Sequence, residues 1–179
     1  MVRSTTHPST TPLGAASSPS VSPSGRRELA LVVVAASALL VLFAWPWVRQ
    51  AATAIPDAAG AGNVLWGADA RLIVYILGWD VHALLTQPLH LFDAGIFHPA
   101  RGMLAGSEHF LGLVPLSGPV LLASDNPLLA ANLAAMATYV LAAVAMWALL
   151  RALDRPGLAA GVGAAAFALG PLRVPADLH

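Results

Sequence analysis

The chain contains no cysteine and no lysine, and only 10% of its 179 residues are charged. Without cysteine there is no disulfide and no thiolate metal site, and redox chemistry indicates no compartment. Without lysine every fixed positive charge is an arginine. The nine arginines balance nine acids, and a net charge of zero removes the electrostatic case for a nucleic-acid partner. Soluble globular chains are about 25% charged and about 45–50% apolar. At 58% hydrophobic, this one argues against a soluble domain. High alanine, glycine and arginine with no lysine fits a GC-rich bacterial genome.

What is present is arranged in blocks. Residues 1–25 are rich in Ser, Thr and Pro and have little to bury, so they are expected to form a disordered tail on the cytoplasmic side. Arg26, Arg27 and Glu28 end it. The apolar run "LALVVVAASALLVLFAWPWV" follows at 29–48, long enough at about 1.5 Å per residue for a hydrocarbon core of about 30 Å. Trp45 and Trp47 sit at its far end, where amphipathic rings favour headgroups. Pro46 is expected to be tolerated there. The competing reading is a cleaved signal peptide with "ATA" at 52–54 as the cleavage site, but the run exceeds the usual apolar stretch of about 7–15 residues.

A second run covers 127–150, with Asn126 as helix cap and Pro127 at the first helical position. A third, Gly- and Ala-rich, covers about 157–172. Gly157 and Gly161 read either as a GxxxG packing pair or as a flexible turn after Pro156. Arg26 and Arg27 before the first run, and Arg151 and Arg155 between the second and third, place both loops in the cytoplasm by the positive-inside rule. The expected fold is therefore all-α: a polytopic transmembrane helix bundle with an outer loop over 49–126. Two apolar segments of that loop, 69–87 and 108–123, are expected as interfacial helices. A span centred near Asp80 would cost about 2.5–3.5 kcal/mol for the acid. A three-helix bundle ending in a short Gly-rich helix reads as the N-terminal part of a longer multi-pass protein, whose remaining helices are then partners.

The outer loop holds Asp57, Asp69, Asp80, Asp93 and Glu108 with His82, His90, His98 and His109. Wet loops carry polar groups anyway, but here they interleave with apolar helices that solvate them poorly. The four histidines with Asp93 or Glu108 offer donors for zinc or manganese, though no pair has the i, i+4 spacing of a helical metal site. No cofactor follows from the sequence, and a divalent cation is the one candidate. Glycosyl transfer needs a carboxylate for the acceptor proton and cations for a departing phosphate. Asp69 can supply the first; Arg71, Arg101 and Arg173, all on the outer side, can meet phosphate or anchor to headgroups.

The order of "WGADARLIVYILGWDVHALL", "LFDAGIFHPARGMLAGSEHFLGLVPL", a run opening "DNPLLAANL" and "PLRVPADLH" resembles the N-terminal part of bacterial multi-pass GT-C-type glycosyltransferases and their YfhO-like relatives. The resemblance implies a membrane enzyme of the bacterial inner membrane that moves a sugar from a polyprenyl-phosphate donor to an envelope acceptor at the outer face. It puts Asp69 in the role of base or acceptor-binding acid, with Arg71, Arg101, Glu108, His109 and Arg173 binding substrate. The chain departs from the family pattern in two places: Ala70 follows Asp69 where an Asp-Glu pair is common, and Glu108-His109-Phe110 stands where relatives carry Glu-Lys-Pro. The alternative function is non-catalytic: a transporter, flippase or polysaccharide assembly factor, which would place ionisable groups inside its spans.

The orientation has a direct check, because the chain has no native cysteine. A Ser107→Cys variant in spheroplasts should react with a membrane-impermeant maleimide added outside. Labelling that appears only after permeabilisation would reverse the orientation.

Overall fold

The computed structural model describes residues 23–55 and 64–170, and within them every regular element is helical. Six α-helices follow in order: α1 Pro23–Phe43, α2 Trp45–Gln50, α3 Val64–Thr86, α4 Val114–Ser124, α5 Pro127–Ala152 and α6 Gly157–Ala168. Short 3₁₀ turns at Pro88–His90, Met103–Gly106 and Leu111–Leu113 punctuate the connection from α3 to α4. The tail expected over 1–25 lies outside the described residues up to 22, and α1 already begins at Pro23.

Helix α5 is the hub, packing against α1, α3, α4 and α6. It is the one helix among the described residues that is long and apolar enough to cross a membrane, with 26 residues and a mean hydropathy of 2.1. At about 1.5 Å per residue it is about 39 Å long, more than the hydrocarbon thickness. Asn126 caps it as the sequence predicts, its side chain accepting from the Leu129 N–H at 3.0 Å. Helix α1 carries Arg26, Arg27 and Glu28 in its first turns, which leaves it a shorter uncharged stretch.

The run expected to be continuous over 29–48 is broken. Ala44 leaves helical geometry at φ −110°, ψ 29°, and α2 restarts at Trp45. Proline has no N–H to give and its ring crowds the preceding turn, so Pro46 divides the helix even near its end. The interfacial segment expected at 69–87 starts earlier, giving α3 a length of 23 residues, and stops before Pro88. The segment expected at 108–123 forms a 3₁₀ turn followed by α4, which ends on Asp125 in the left-handed region at φ 51°.

Opposite ends of the bundle are tied differently. At one end Glu28 meets Arg151 at 3.2 Å, and Arg151 also donates to the Arg155 carbonyl at 2.8 Å. A Cβ on Gly157 would stand 3.0 Å from the Glu28 carboxyl carbon, so glycine lets this acid reach the start of α6, where backbone N–H groups favour an anion. At the other end Asn132, 4% exposed, accepts from the Trp47 indole at 2.9 Å and donates to the Ala51 and Ala54 carbonyls, both at 2.8 Å. Asn126 adds a bond to the Ala52 carbonyl at 2.9 Å. Helices α1, α5 and α6 therefore run up, down and up.

The seam between them is made of small residues, but not of the Gly157–Gly161 pair that is one of the two readings of that sequence. Ala160, Ala164 and Ala168, one turn apart on α6, are fully buried, the latter two against Ala36 and Ala143. Such residues let helix backbones approach. Gly161 has nothing within 4 Å of where a Cβ would sit, so it takes no part in the seam. Outward, Leu31, Leu42, Leu158 and Val162 are more than 60% exposed, an apolar exterior.

Replacing Asn132 by alanine removes three hydrogen bonds and leaves the buried Trp47 N–H and the two carbonyls without it. The expected loss is about 2–4 kcal/mol. Asn126→Ala, which removes mainly a cap, should cost about 1 kcal/mol. Unfolding in mixed detergent, followed by circular dichroism, ranks the two variants. A smaller loss at Asn132 would show that the amide is not a tie.

Candidate functional site

The polar groups of the connection between α2 and α5 are organised by α3, whose two faces differ in kind. One face carries Ile76, Asp80 and Ala83, all essentially inaccessible. The other carries Arg71, Tyr75, Gly78, Trp79 and His82, at the spacing that repeats along one helix stripe.

Residues 87–113 fold down onto α3. Asp93 fixes that loop: its carboxylate accepts from the Gly102 N–H at 2.7 Å and pairs with His90 Nδ1 at 3.0 Å. Gly102 sits at φ 67°, a conformation glycine adopts at no steric cost. The His90 hydrogen bond, helped by the Gly102 N–H, holds the Asp93 carboxyl below its ordinary range. Leu104 and Ala94 then pack on Ile76, with Trp79, Ile96 and Phe110 around them. The Trp79 indole donates to the Leu91 carbonyl at 2.6 Å, and the Tyr75 hydroxyl reaches Gly95.

This packing seals Asp80. It is 0% exposed, and neither carboxylate oxygen makes a well-formed hydrogen bond, the Phe110 N–H facing it only loosely. Burial pushes its carboxyl above the ordinary value of 3.8, against the pull of the Phe110 N–H and the charge that His109 can carry. Helices α4 and α5 supply no charged side chain to offset this, apart from Arg151 at the far end of α5. Helix α4 reaches α3 at Gly118, where a Cβ would lie 3.6 Å from Val81, and its neighbour Ser117 is also buried with an unpartnered hydroxyl. A buried acid whose carboxyl is raised by desolvation is a candidate for proton transfer, because the raised carboxyl is a stronger base than a solvated one.

The residues expected from sequence are dispersed. Asp69 is exposed in the early turns of α3, eleven residues and about three turns from Asp80, and so on the same face but about 16 Å along the axis. Arg71 lies on the opposite stripe, beside a groove of about 450 Å³ that also involves Tyr75, Trp79, His82 and Pro127. Arg101 is exposed beside Asp93 and reinforces its ionised form. Glu108 is exposed; His109 is exposed too, its ring edge-on to Phe92 at 5.9 Å. Arg173 and Asp57 lie outside the described residues. His82, His90, His98 and His109 do not converge: among the described residues no three His, Asp or Glu side chains gather as a metal site would require.

Asp80 is the residue that sequence reasoning undervalued. It entered as one of the outer-loop acids and as an obstacle to a span, without a site role, although an acid closing the apolar run "LIVYILGW" was the available signal. No known protein family matches the chain, and neither a curated protein nor a solved structure matches it.

An acid whose folded-state pKa is raised binds protons more tightly folded than unfolded. Stability should therefore fall as pH rises from the ordinary value of 3.8 toward the raised one, with the cost fully present above it. Asp80→Asn should raise the thermal midpoint near pH 7 and leave it unchanged in acid below that ordinary value. Destabilisation of the variant near pH 7 would mean that the carboxylate has a partner.

Proposed function

We propose that this chain is the membrane-bound part of a glycosyltransferase, moving a sugar from a polyprenyl-phosphate donor to an envelope acceptor at the outer face of a bacterial inner membrane. The reading takes α1 with α2, α5 and α6 as three antiparallel passes, on the strength of their apolar outward faces and the gathering of Arg26, Arg27, Arg151 and Arg155 toward one end. The connection carrying Asp80 and His109 is then on the outer side.

The observation that carries the proposal is the buried, unpartnered carboxyl of Asp80. In the transfer step the acceptor hydroxyl attacks the anomeric carbon, the bond from that carbon to the phosphate oxygen breaks, and the phosphate leaves with the electron pair. Asp80, covered by residues 87–113 in this structure, takes the proton of the attacking hydroxyl once that loop lifts from α3 to admit the acceptor. Burial matters because a fully solvated carboxylate is a weak base near neutral pH, and desolvation brings it closer to the range where general bases work. His109, facing Asp80 from the loop, holds a second polar contact for the acceptor, with Glu108 beside it. Arg101 and Arg173 are proposed to meet the phosphate. Asp69, which the family resemblance points to, is the competing base.

A transfer assay in membrane vesicles, with a radiolabelled polyprenyl-phosphate sugar, separates the two acids. Asp80→Asn should lower the rate by about 10²–10⁴-fold, the range of a general base. Asp69→Asn should lower it by less than roughly tenfold, as loss of one binding contact does. Wild-type transfer by Asp80→Asn, or abolition by Asp69→Asn alone, would return the base to Asp69. No transfer by the unaltered protein would remove the function.

A further inference from the structure

The stripe of α3 opposite Asp80 has no part in the proton chemistry, and its composition is specific. Arg71, Tyr75, Trp79 and His82 lie within twelve residues, about 16 Å of helix from first to last. Between Arg71 and His82 the floor is open: nothing lies within 4 Å of where a Gly78 Cβ would be. The walls of this groove of about 450 Å³ are apolar, formed by Val74, the Tyr75 and Trp79 rings and Pro127. Trp79 is fixed by its bond to Leu91 and its ring lies 5.9 Å from that of His82. His82 Nε2 is 3.2 Å from the Thr86 hydroxyl, whose own proton goes to the His82 carbonyl at 2.8 Å; Nε2 is therefore the donor.

Arg71 stands at one end of this groove with no carboxylate partner among the described residues, whose ion pairs are His90–Asp93 and Arg151–Glu28. Pro127 marks the start of α5, so the partial positive charge of that helix end lies at the same groove. An unpaired guanidinium selects an anion, and its planar fork matches phosphate. The apolar walls offer nothing to a free inorganic anion but cover hydrocarbon well. Their position at the beginning of α5, which is long and apolar enough to cross a bilayer, puts the groove at the level where aromatic rings favour the headgroup region.

We infer that this groove is a lipid site: Arg71 holds the phosphate of an anionic membrane lipid, and the lipid's apolar part lies along Val74, Tyr75 and Trp79 over Gly78. This site is on the face of α3 away from Asp80 and does not depend on the transferase reading. It differs from general headgroup attraction in being saturable and in having a shape that one side chain can fill.

The test uses the full chain in a maltoside detergent, titrated calorimetrically with dioctanoyl phosphatidate. Saturable binding of one equivalent is expected. Arg71→Gln should weaken it by roughly tenfold or more, the effect of losing a charge-assisted bidentate contact. Gly78→Leu should abolish it with an unchanged circular dichroism spectrum, since the added side chain enters open space. Dioctanoylglycerol, which lacks the phosphate, and inorganic phosphate, which lacks the chains, should both fail to saturate the site. Equal binding of dioctanoylglycerol, equal binding of inorganic phosphate, or full phosphatidate affinity in Gly78→Leu would each overturn the inference. Because the readout is binding rather than transfer, it stands or falls separately from the role of Asp80.

Discussion

The buried amide of Asn132 is the interaction on which the arrangement of the helices depends. One side chain satisfies an indole N–H and two carbonyls in the turn after α2, using both its acceptor and its donor capacity. In surroundings of low polarity each of those groups would be costly alone, so the set holds as a unit. The tie fixes the far end of α2 to the first third of α5. Pro46 has already interrupted the helix before it, so α2 keeps its angle through this tie together with the packing of Trp47 and Ala51 on Met136. Glu28 and Arg151 do the corresponding work at the other end with a half-exposed ion pair, which is worth less.

With α5 positioned in this way, α3 and α4 are placed against it and the loop between them has a surface to fold on. That loop is held chiefly by polar bonds to backbone, through Asp93 and Trp79, and contributes only a small apolar cluster. Sealing Asp80 under it goes against its desolvation cost. A group left buried without partners is kept there by surrounding packing, here Ile76, Ala94 and Leu104.

Much of the scaffold was legible because it rests on patterns of one helix at a time. The apolar runs gave the positions of α1, α5 and α6, and Asn126 followed by Pro127 marked the start of α5 to the residue. The break at Ala44 was not legible from hydropathy, since Pro46 lies among residues as apolar as any in the run; only the missing N–H betrays it. The start of α3 at Val64 was hidden by Gly67, a poor helix former by intrinsic propensity. The seam of α6 was sought in the glycine pair, whereas Ala160, Ala164 and Ala168 share a face and make it. The site was less legible still. Asp69 and Arg71 are neighbours in sequence and were read together, but two residues along a helix separate side chains by about 200°.

That same geometry explains why α3 can hold an acid and a cation without pairing them. Arg71 and Asp80 are nine residues apart, two and a half turns, which places them on opposite faces. Had the separation been seven or eight, the guanidinium would have shared a face with the acid and drawn its carboxyl into the ionised range. Instead Asp80 faces the Phe110 N–H and His109, both from a loop that Asp93 helps to order. The charge state of the buried acid is therefore controlled by how well that loop is seated, while the cationic stripe remains available to an anion from outside. One helix keeps the two electrostatic roles apart by phase alone.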